Sequence, residues 1–183
     1  MKMRNIFIVI VGISIVFGQS GYEITKTLDE KSKPKNMISK TTMVLTNSKG
    51  KTRNNVMISK TMDNSRRQLI WFLEPKDDKG ISFLKIEHDD RDDEMRIWLP
   101  AFKRVRRISA SKKGDSFMGS DLSYEDMTSR SLDENEYNRL DDETVNEREC
   151  FVIEVTPNAS LKSSYSKHKI WIVKDDLYII KEE

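Results

Sequence analysis

Apolar and polar residues alternate in short runs along most of the chain, which is the pattern of β-strands that bury one face. Between residues 34 and 108 there are six such runs. Turn residues separate them every ~10–15 residues, as in Asn47-Ser48-Lys49-Gly50 and in residues 75–80. Regular strands joined by short turns predict an antiparallel meander rather than strand–helix–strand units.

Helices are predicted only in short segments. Residues 22–33 fit a weakly amphipathic helix, because Ile24 and Leu28 are spaced by four positions. The Ser123-x-x-Asp126 spacing fits the cap of a second short helix, and residues 132–140 fit a third. The remaining apolar runs predict further strands around residues 151–155, 168–173 and 177–180.

Each strand of the meander has one face that is almost entirely apolar, and this face must be covered. Because few helical residues are available to cover it, we predict a curled sheet that leaves an apolar cavity of the kind in which small ligands bind. A closed, solid core is the alternative, for the sheet and for each of its apolar residues. The predicted lining consists of Met43, Leu45, Val56, Ile58, Leu69, Trp71, Leu73, Leu84, Ile86, Met95, Ile97 and Leu99.

Two more apolar residues, Phe117 and Met118, stand in a polar loop that is rich in Ser and Gly. No strand pattern requires them there, so we predict that they plug the barrel or gate its mouth. Methionine side chains adapt to different shapes, which suits a pocket for variable cargo. Phe117 and Met118 therefore complete the candidate ligand-binding set.

The first 20 residues have the organisation of a secretory signal peptide. Lys2 and Arg4 precede an uncharged, largely apolar run at residues 6–17, and small residues follow up to Gly21. A membrane span needs about 20 apolar residues, and this run is shorter. We therefore expect export to the periplasm with cleavage before Gly21; retention as an uncleaved anchor is the alternative.

Removal of the signal peptide changes the charge balance of the chain. The full chain has 32 basic and 30 acidic residues, and the signal peptide holds two of the basic residues and none of the acidic ones. The remaining residues, 21–183, therefore carry no net charge, which argues against nucleic-acid binding. Their number suits a single domain, which we expect to be a monomer.

One segment departs from this neutral balance. Residues 103–107, Lys103-Arg104-Val105-Arg106-Arg107, are strongly basic, and Lys112 and Lys113 belong to the same cluster. Two interpretations remain open for this cluster. It is either the solvated face of a strand or a contact for acidic lipid headgroups or for a transporter surface.

The sequence gives no pattern that indicates catalysis or metal binding, and we predict no enzymatic activity, metal or cofactor. The single cysteine, Cys150, lies in an apolar run and is expected to be buried and inert. The two histidines, His88 and His168, have no zinc-ligand spacing with it. Gly114-Asp115-Ser116-Phe117 looks like the nucleophile block of the GDSL-type esterases, but Tyr165 stands where those enzymes need an acidic residue three positions before the histidine.

Three segments resemble the signatures of one family. They contain Phe72-Leu73-Glu74-Pro75 with Lys79-Gly80-Ile81-Ser82-Phe83-Leu84, Ile97-Trp98-Leu99-Pro100-Ala101-Phe102 after an acidic stretch, and Gly114-Asp115-Ser116-Phe117-Met118-Gly119-Ser120-Asp121-Leu122-Ser123-Tyr124-Glu125-Asp126. They are similar to the outer-membrane lipoprotein-sorting proteins of the LolA-like class, which are often associated with large exporters of the resistance-nodulation-division (RND) type. The resemblance covers residues 37–180.

The resemblance implies a mainly β fold, a curled antiparallel sheet that forms an incomplete half-barrel with a few short helices over its concave face. It implies a carrier that binds lipid or the acyl chains of lipoproteins and transfers them towards the outer membrane. An inner-membrane RND-type transporter is the implied partner, and a non-carrying accessory module that docks on such a transporter is the alternative function. Family members usually continue beyond the last strand seen here, so we expect either a truncated sequence or a more open barrel.

Overall fold

The structure is a computed structural model that describes residues 19–183. The predicted signal peptide lies outside the described residues, apart from Gln19 and Ser20. Within the described part of the chain, no helix is both long enough and apolar enough to cross a membrane.

The described residues form one α-helix, a few short 3₁₀ helices and two antiparallel sheets. Helix α1 spans Gly21–Asp29, and the 3₁₀ helices span Pro100–Phe102, Ala110–Lys112, Glu125–Met127 and Leu132–Glu134. The strands are β1 (Asn36–Thr46), β2 (Thr52–Met62), β3 (Arg67–Glu74), β4 (Ser82–Ile86), β5 (Glu94–Leu99), β6 (Arg104–Ile108), β7 (Asn135–Val145), β8 (Arg148–Pro157), β9 (His168–Val173) and β10 (Ile179–Glu182).

Helix α1 begins at a capping box formed by Ser20 and Glu23. The Ser20 hydroxyl accepts a hydrogen bond from the backbone N–H of Glu23 (3.2 Å), and the Glu23 carboxylate accepts one from the backbone N–H of Ser20 (2.8 Å). Tyr22 meets Tyr137 edge-on, with ring centroids 6.0 Å apart. The predicted helix at residues 22–33 is confirmed, although it ends at Asp29.

Strands β1–β6 pair in sequence order, which confirms the predicted meander. The register places Ile70 opposite Phe83 and Phe83 opposite Ile97, so these three side chains share one face of the sheet. Leu69 and Leu84 lie opposite each other on the other face. We call the face with Phe83 the inner face and the face with Leu84 the outer face.

The inner face is filled by the loop between β6 and β7. Phe117 and Tyr124 of this loop are buried, and they form one cluster with Met57, Ile70, Phe72, Phe83 and Met95. The loop also contains the short helix predicted after Ser123. It is the 3₁₀ turn Glu125–Met127, where the backbone N–H of Asp126 donates to the Ser123 hydroxyl at 3.4 Å.

Strands β7–β10 form the second sheet, in the order β10-β9-β8-β7. One of its faces packs against α1 through Ile24, Ile153, Val155, Ile170 and Ile172. The other face buries Cys150, Val152, Trp171 and Val173. The expectation that Cys150 is buried is therefore confirmed. Trp171 donates a hydrogen bond from its indole N–H to Glu143 (2.8 Å), and the ammonium of Lys181 lies 4.1 Å from its ring centroid.

The helix predicted at residues 132–140 is wrong. Leu132–Glu134 is a single 3₁₀ turn, and β7 begins directly after it. Strand β7 pairs with β8, with Tyr137 opposite Val155 and Arg139 opposite Ile153. Pairing with a buried neighbouring strand outweighs the weak local preference of this polar segment, because strand formation depends strongly on tertiary context.

The predicted fold class is confirmed. The chain is mainly β and antiparallel, and its two sheets do not close into a complete barrel. Short helical segments cover parts of them: α1 lies on the second sheet, and the loop with the turn Glu125–Met127 covers the inner face of the first.

Candidate functional site: an apolar groove on the outer face

An open groove lies on the outer face of the first sheet, at the end where β1 begins and β2 ends. Its volume is about 610 Å³, within the ~300–1,000 Å³ range of small-molecule sites. Its walls are predominantly apolar, and we call it the outer groove. The lining residues are Asn36, Met37, Ile38, Lys60, Thr61, Met62, Arg67, Gln68, Leu69, Trp71, Leu84 and Ile86.

The strand register explains why apolar side chains meet at this point. Leu69 of β3 lies opposite Leu84 of β4, and Ile38 of β1 lies opposite Lys60 of β2. Successive residues of a strand point to opposite faces, so Trp71 joins Leu69 on the outer face. β3 therefore presents apolar side chains on both faces, and β4 adds Leu84 and Ile86 on the outer face. The inner face buries its set, while the groove side chains are only partly buried.

Two cations border the apolar wall of the outer groove. The ammonium of Lys60 lies 5.5 Å from the ring centroid of Trp71, close enough for attraction to the electron-rich face of the indole. Arg67 forms an exposed ion pair with Asp63, with 3.6 Å between the guanidinium Nε and the carboxylate. The aliphatic stems of Lys60 and Arg67 extend the apolar wall while their charges stay at the rim.

The structure divides the predicted lining residues between the two faces of the sheet. Four of them line the outer groove: Leu69, Trp71, Leu84 and Ile86. Three others share the outer face but lie outside the groove: Val56, Ile58 and Leu73. Five lie on the inner face: Met43, Leu45, Met95, Ile97 and Leu99. Phe117 and Met118 also pack on the inner face.

Sequence reasoning missed three apolar residues of the outer groove. Ile38 is 70% exposed and Met62 is 51% exposed, and Met37 lies beside Ile38. All three stand at the ends of strands. The alternation of β1, in which Ile38 and Val44 fall on the same face as Ile58, could have identified Ile38.

A second, polar cavity of about 800 Å³ lies where the loops of the first sheet meet the second sheet, and Arg130 is on its wall. The Arg130 guanidinium donates to Asp126 (2.6 Å), to Glu182 (2.7 Å) and to Nε2 of His168 (3.0 Å). The Tyr165 hydroxyl donates to the same Asp126 carboxylate at 2.6 Å. These contacts join β9, β10 and the loop after β6 in one hydrogen-bonded network.

The network shifts the pKa values of its members. Burial lowers the pKa of His168, and the positive charge of Arg130 lowers it further. Because Arg130 donates to Nε2, we assign the imidazole proton to Nδ1, which is buried without a hydrogen-bond partner. Burial alone would raise the pKa of Asp126, but hydrogen bonds from Tyr165 and Ser123 outweigh it and lower the pKa below its usual value.

The esterase-like motif is held by local backbone contacts. The hydroxyl of Ser116 donates to the carbonyl of Ser120 at 2.6 Å, and Ser116 forms an isolated β-bridge with Ser123. His168 is bound to Arg130 instead of to a serine. Among residues 19–183 we find no group of three or more His, Cys, Asp and Glu residues arranged to hold a metal ion.

Comparison with known proteins identifies the family of this chain. A family model described only as an uncharacterized protein matches residues 64–183, which is more than half of the chain. The crystal structure of a DUF1329 family protein from Desulfovibrio piger is 30% identical, with a TM-score of 0.77 over 89% of this chain and 71% of that one. We found no significant match among the curated proteins.

Two further crystal structures share the fold. A putative outer membrane lipoprotein-sorting protein domain from Vibrio parahaemolyticus is 31% identical, with a TM-score of 0.75 over 89% of this chain and 70% of that one. A LolA superfamily protein from Nitrosomonas europaea is 16% identical, with a TM-score of 0.55 over 91% of this chain and 71% of that one. This chain therefore belongs to the DUF1329 family and has the fold of LolA-like lipoprotein-sorting proteins.

Proposed function

We propose that this protein is a periplasmic carrier, without enzymatic activity, that binds lipid or the acyl chains of lipoproteins in the outer groove. The observation that carries the proposal is the open, predominantly apolar groove on the outer face, where Leu69, Trp71 and Leu84 form the wall. Apolar side chains left uncovered on a sheet favour an apolar ligand. The similarity to a lipoprotein-sorting domain supports the same class of cargo.

The mechanism is physical and requires no reaction. Burial of each methylene group of an acyl chain is worth about 0.8 kcal/mol, so a partly buried chain is held against release into water. The groove is open along one side, so part of the cargo stays accessible. An acceptor that buries more of the acyl chain can therefore withdraw it without unfolding of the carrier.

The two cations at the edge of the outer groove can orient a bound lipid. Lys60 and Arg67 stand beside the apolar wall, where they can contact a carboxylate or a phosphate at the polar end of a lipid. In this arrangement the hydrocarbon lies along Leu69 and Leu84, and the polar group stays at the edge in water. A fatty acid, a phospholipid and a lipoprotein all satisfy this arrangement.

The proposal is tested by exporting residues 19–183 behind a heterologous signal peptide and purifying them from a bacterial periplasm without detergent. Native mass spectrometry and lipid extraction follow. Ile38→Asp is the informative variant, because Ile38 lines the groove but is 70% exposed, so the fold should tolerate the change. Val44→Asp is the matched control. It is on the same strand and the same face, is 58% exposed, and lies outside the groove.

We expect a co-purifying acyl species in the unmodified protein and in Val44→Asp, with at least a tenfold loss in Ile38→Asp. Equal loading of both variants would show that the lipid binds elsewhere. A protein that is free of lipid and takes up no fatty acid would contradict the carrier proposal. That result would favour the alternative function, a non-carrying module that docks on an RND-type transporter.

A further inference from the structure

A second surface of the first sheet has no role in the carrier proposal. The turn that joins β5 and β6 presents Phe102, which is 71% exposed, and β6 beside it presents Val105, which is 56% exposed. Strand β6 is the last strand of its sheet, and four of its five residues are exposed. The β5–β6 turn and β6 therefore expose large apolar side chains to water.

The cations of this segment have no partners among the described residues. Lys103, Arg104, Arg106 and Arg107 form no ion pair with any residue from 19 to 183. Their neighbours do: Arg96 on β5 binds Glu94 at 2.5 Å, and most other arginines of the described chain bind a carboxylate. Unpaired charges that cluster on one strand produce a local positive potential in a domain with no net charge.

The turns at one end of the meander add further cations to this surface. The β1–β2, β3–β4 and β5–β6 turns lie at one end, because consecutive strands are antiparallel. We call this the basic end; its charged residues are Lys49, Lys51, Arg53, Lys76, Lys79, Lys103 and Arg104 against Glu74, Asp77 and Asp78. The opposite end, which includes the outer groove, has charges of both signs: Asp63, Glu87, Asp89, Asp90, Asp92, Asp93 and Glu94 with Lys35, Lys60, Arg66, Arg67, Arg91, Lys112 and Lys113.

We propose that the basic end of the sheet, with Phe102 at its tip, docks on the surface of a bilayer that contains anionic phospholipids. Cations near such a surface are attracted to its negative potential, and an exposed aromatic ring partitions into the headgroup region. Phe102 and the unpaired arginines act together in this arrangement. The aromatic ring leaves water for the headgroup region while the arginines contact the anionic headgroups around it.

This docking does not depend on the outer groove, which lies at the other end of the sheet. It gives the protein a peripheral and reversible attachment, because the contact comprises one aromatic tip and a few charges rather than a membrane-spanning segment. Salt screens the attraction, since the Debye length falls from about 10 Å at 0.1 M to about 3 Å at 1 M.

The experiment is co-sedimentation of residues 19–183 with vesicles of phosphatidylcholine alone or mixed with phosphatidylglycerol. This chain contains every described element, and it excludes the apolar run of the signal peptide from the measurement. We compare the variant in which Lys103, Arg104, Arg106 and Arg107 are changed to Gln with a control in which Lys26, Lys33, Lys35 and Lys40 are changed to Gln. Both variants lose the same charge, and the control residues are also exposed.

We expect binding to the mixed vesicles only, with about a fivefold loss for each cation removed from residues 103–107 and little loss in the control. Phe102→Ser should weaken binding severalfold, whereas Leu122→Ser, at another exposed apolar residue, should not. Ile38→Asp should still bind vesicles, which separates this test from the carrier proposal. Absence of binding to mixed vesicles at low salt, or equal losses in the two charge variants, would overturn the proposal and leave an acidic protein surface as the partner to test.

Discussion

The ring of Phe117 packs edge-on against the ring of Phe83, with centroids 5.3 Å apart and planes at 74°. Phe117 belongs to the loop after β6, and Phe83 belongs to β4 on the inner face. The loop thus supplies the side chain that closes this face, and Tyr124 packs beside it at 5.7 Å from Phe117. Because the inner face is filled by the chain itself, the outer face is the one left open for a ligand.

The first prediction concerns this contact. Phe117→Ala should lower the free energy of unfolding by about 3–5 kcal/mol, because a fully buried aromatic side chain is replaced by a cavity; Phe117 is 2% exposed. Urea unfolding followed by circular dichroism measures the change. Leu122→Ala, in the same loop but with an exposed side chain, should lower the free energy of unfolding much less. Equal losses in the two variants would show that Phe117 does not act as a core residue.

The second prediction concerns the ion pair of Lys85 and Glu87, whose charged atoms are 2.7 Å apart and almost entirely shielded from water. Glu87→Ala leaves the ammonium of Lys85 buried without its partner, so the expected loss is about 3–5 kcal/mol in the free energy of unfolding. Glu94→Ala breaks the more exposed pair with Arg96 and should cost only about 0–1 kcal/mol.

A double variant, Lys85→Met with Glu87→Leu, removes both charges of the buried pair. It should recover part of the stability lost in Glu87→Ala, because no unpaired charge is left inside the protein. Urea unfolding of the two variants under identical conditions makes the comparison. A double variant that is less stable than Glu87→Ala would show that Glu87 acts mainly through its bonds to Ser129 and not through Lys85.

The third prediction concerns pH and His168. Burial, together with Arg130, lowers the pKa of His168 below its ordinary value of 6.5. The unfolded chain therefore binds a proton at this residue before the folded chain does, and stability must fall as the pH drops below about 6.5. Above that value the histidine is neutral in both the folded and the unfolded state, so it does not make the free energy of unfolding depend on pH. The effect is distinct from that of Asp126, whose lowered pKa stabilises the fold at neutral pH; that contribution is lost only at more acidic pH.

Urea unfolding between pH 8 and pH 5 measures this dependence. In His168→Gln the loss of stability just below pH 6.5 should be smaller than in the unmodified protein, whatever the stability of the variant at pH 8. An unchanged loss of stability below pH 6.5 in His168→Gln would contradict the assignment.

The fourth prediction concerns the start of α1. Signal-peptide cleavage before Gly21 would remove Ser20, which caps the helix, and would also remove the carbonyl of Gln19, which accepts a hydrogen bond from Arg139 at 2.9 Å. A chain that begins at Gln19 should therefore be more stable than one that begins at Gly21, by about 1 kcal/mol for the cap alone. Equal midpoints of urea unfolding would show that the cap does not contribute.

Much of the fold was predictable from the sequence, because alternation of residue type marks the strands of the first sheet clearly. Strand β9 was predicted with its observed bounds, residues 168–173. Strand β7 was not predicted, because residues 135–145 contain mostly polar and charged side chains. Its existence depends on pairing with β8, and that information lies outside the segment itself.

The candidate site was only partly predictable, for a physical reason that β3 illustrates. Leu69 and Trp71 form one apolar face, and Ile70 and Phe72 form the other. Alternation identifies two faces but does not tell which one is covered when both are apolar. The covering residue, Phe117, is more than 40 positions away in sequence, so the division of the lining residues between the two faces appears only in the structure.

The most direct test of the central claim is quenching of Trp71 fluorescence by a brominated fatty acid, because Trp71 lines the outer groove and bromine quenches only at short range. We expect strong quenching in the unmodified protein and in Trp98→Phe. In Trp71→Phe, equilibrium dialysis should show that the fatty acid still binds, while the quenching is lost. Quenching that is unchanged in Trp71→Phe would place the acyl chain away from the groove and contradict the account.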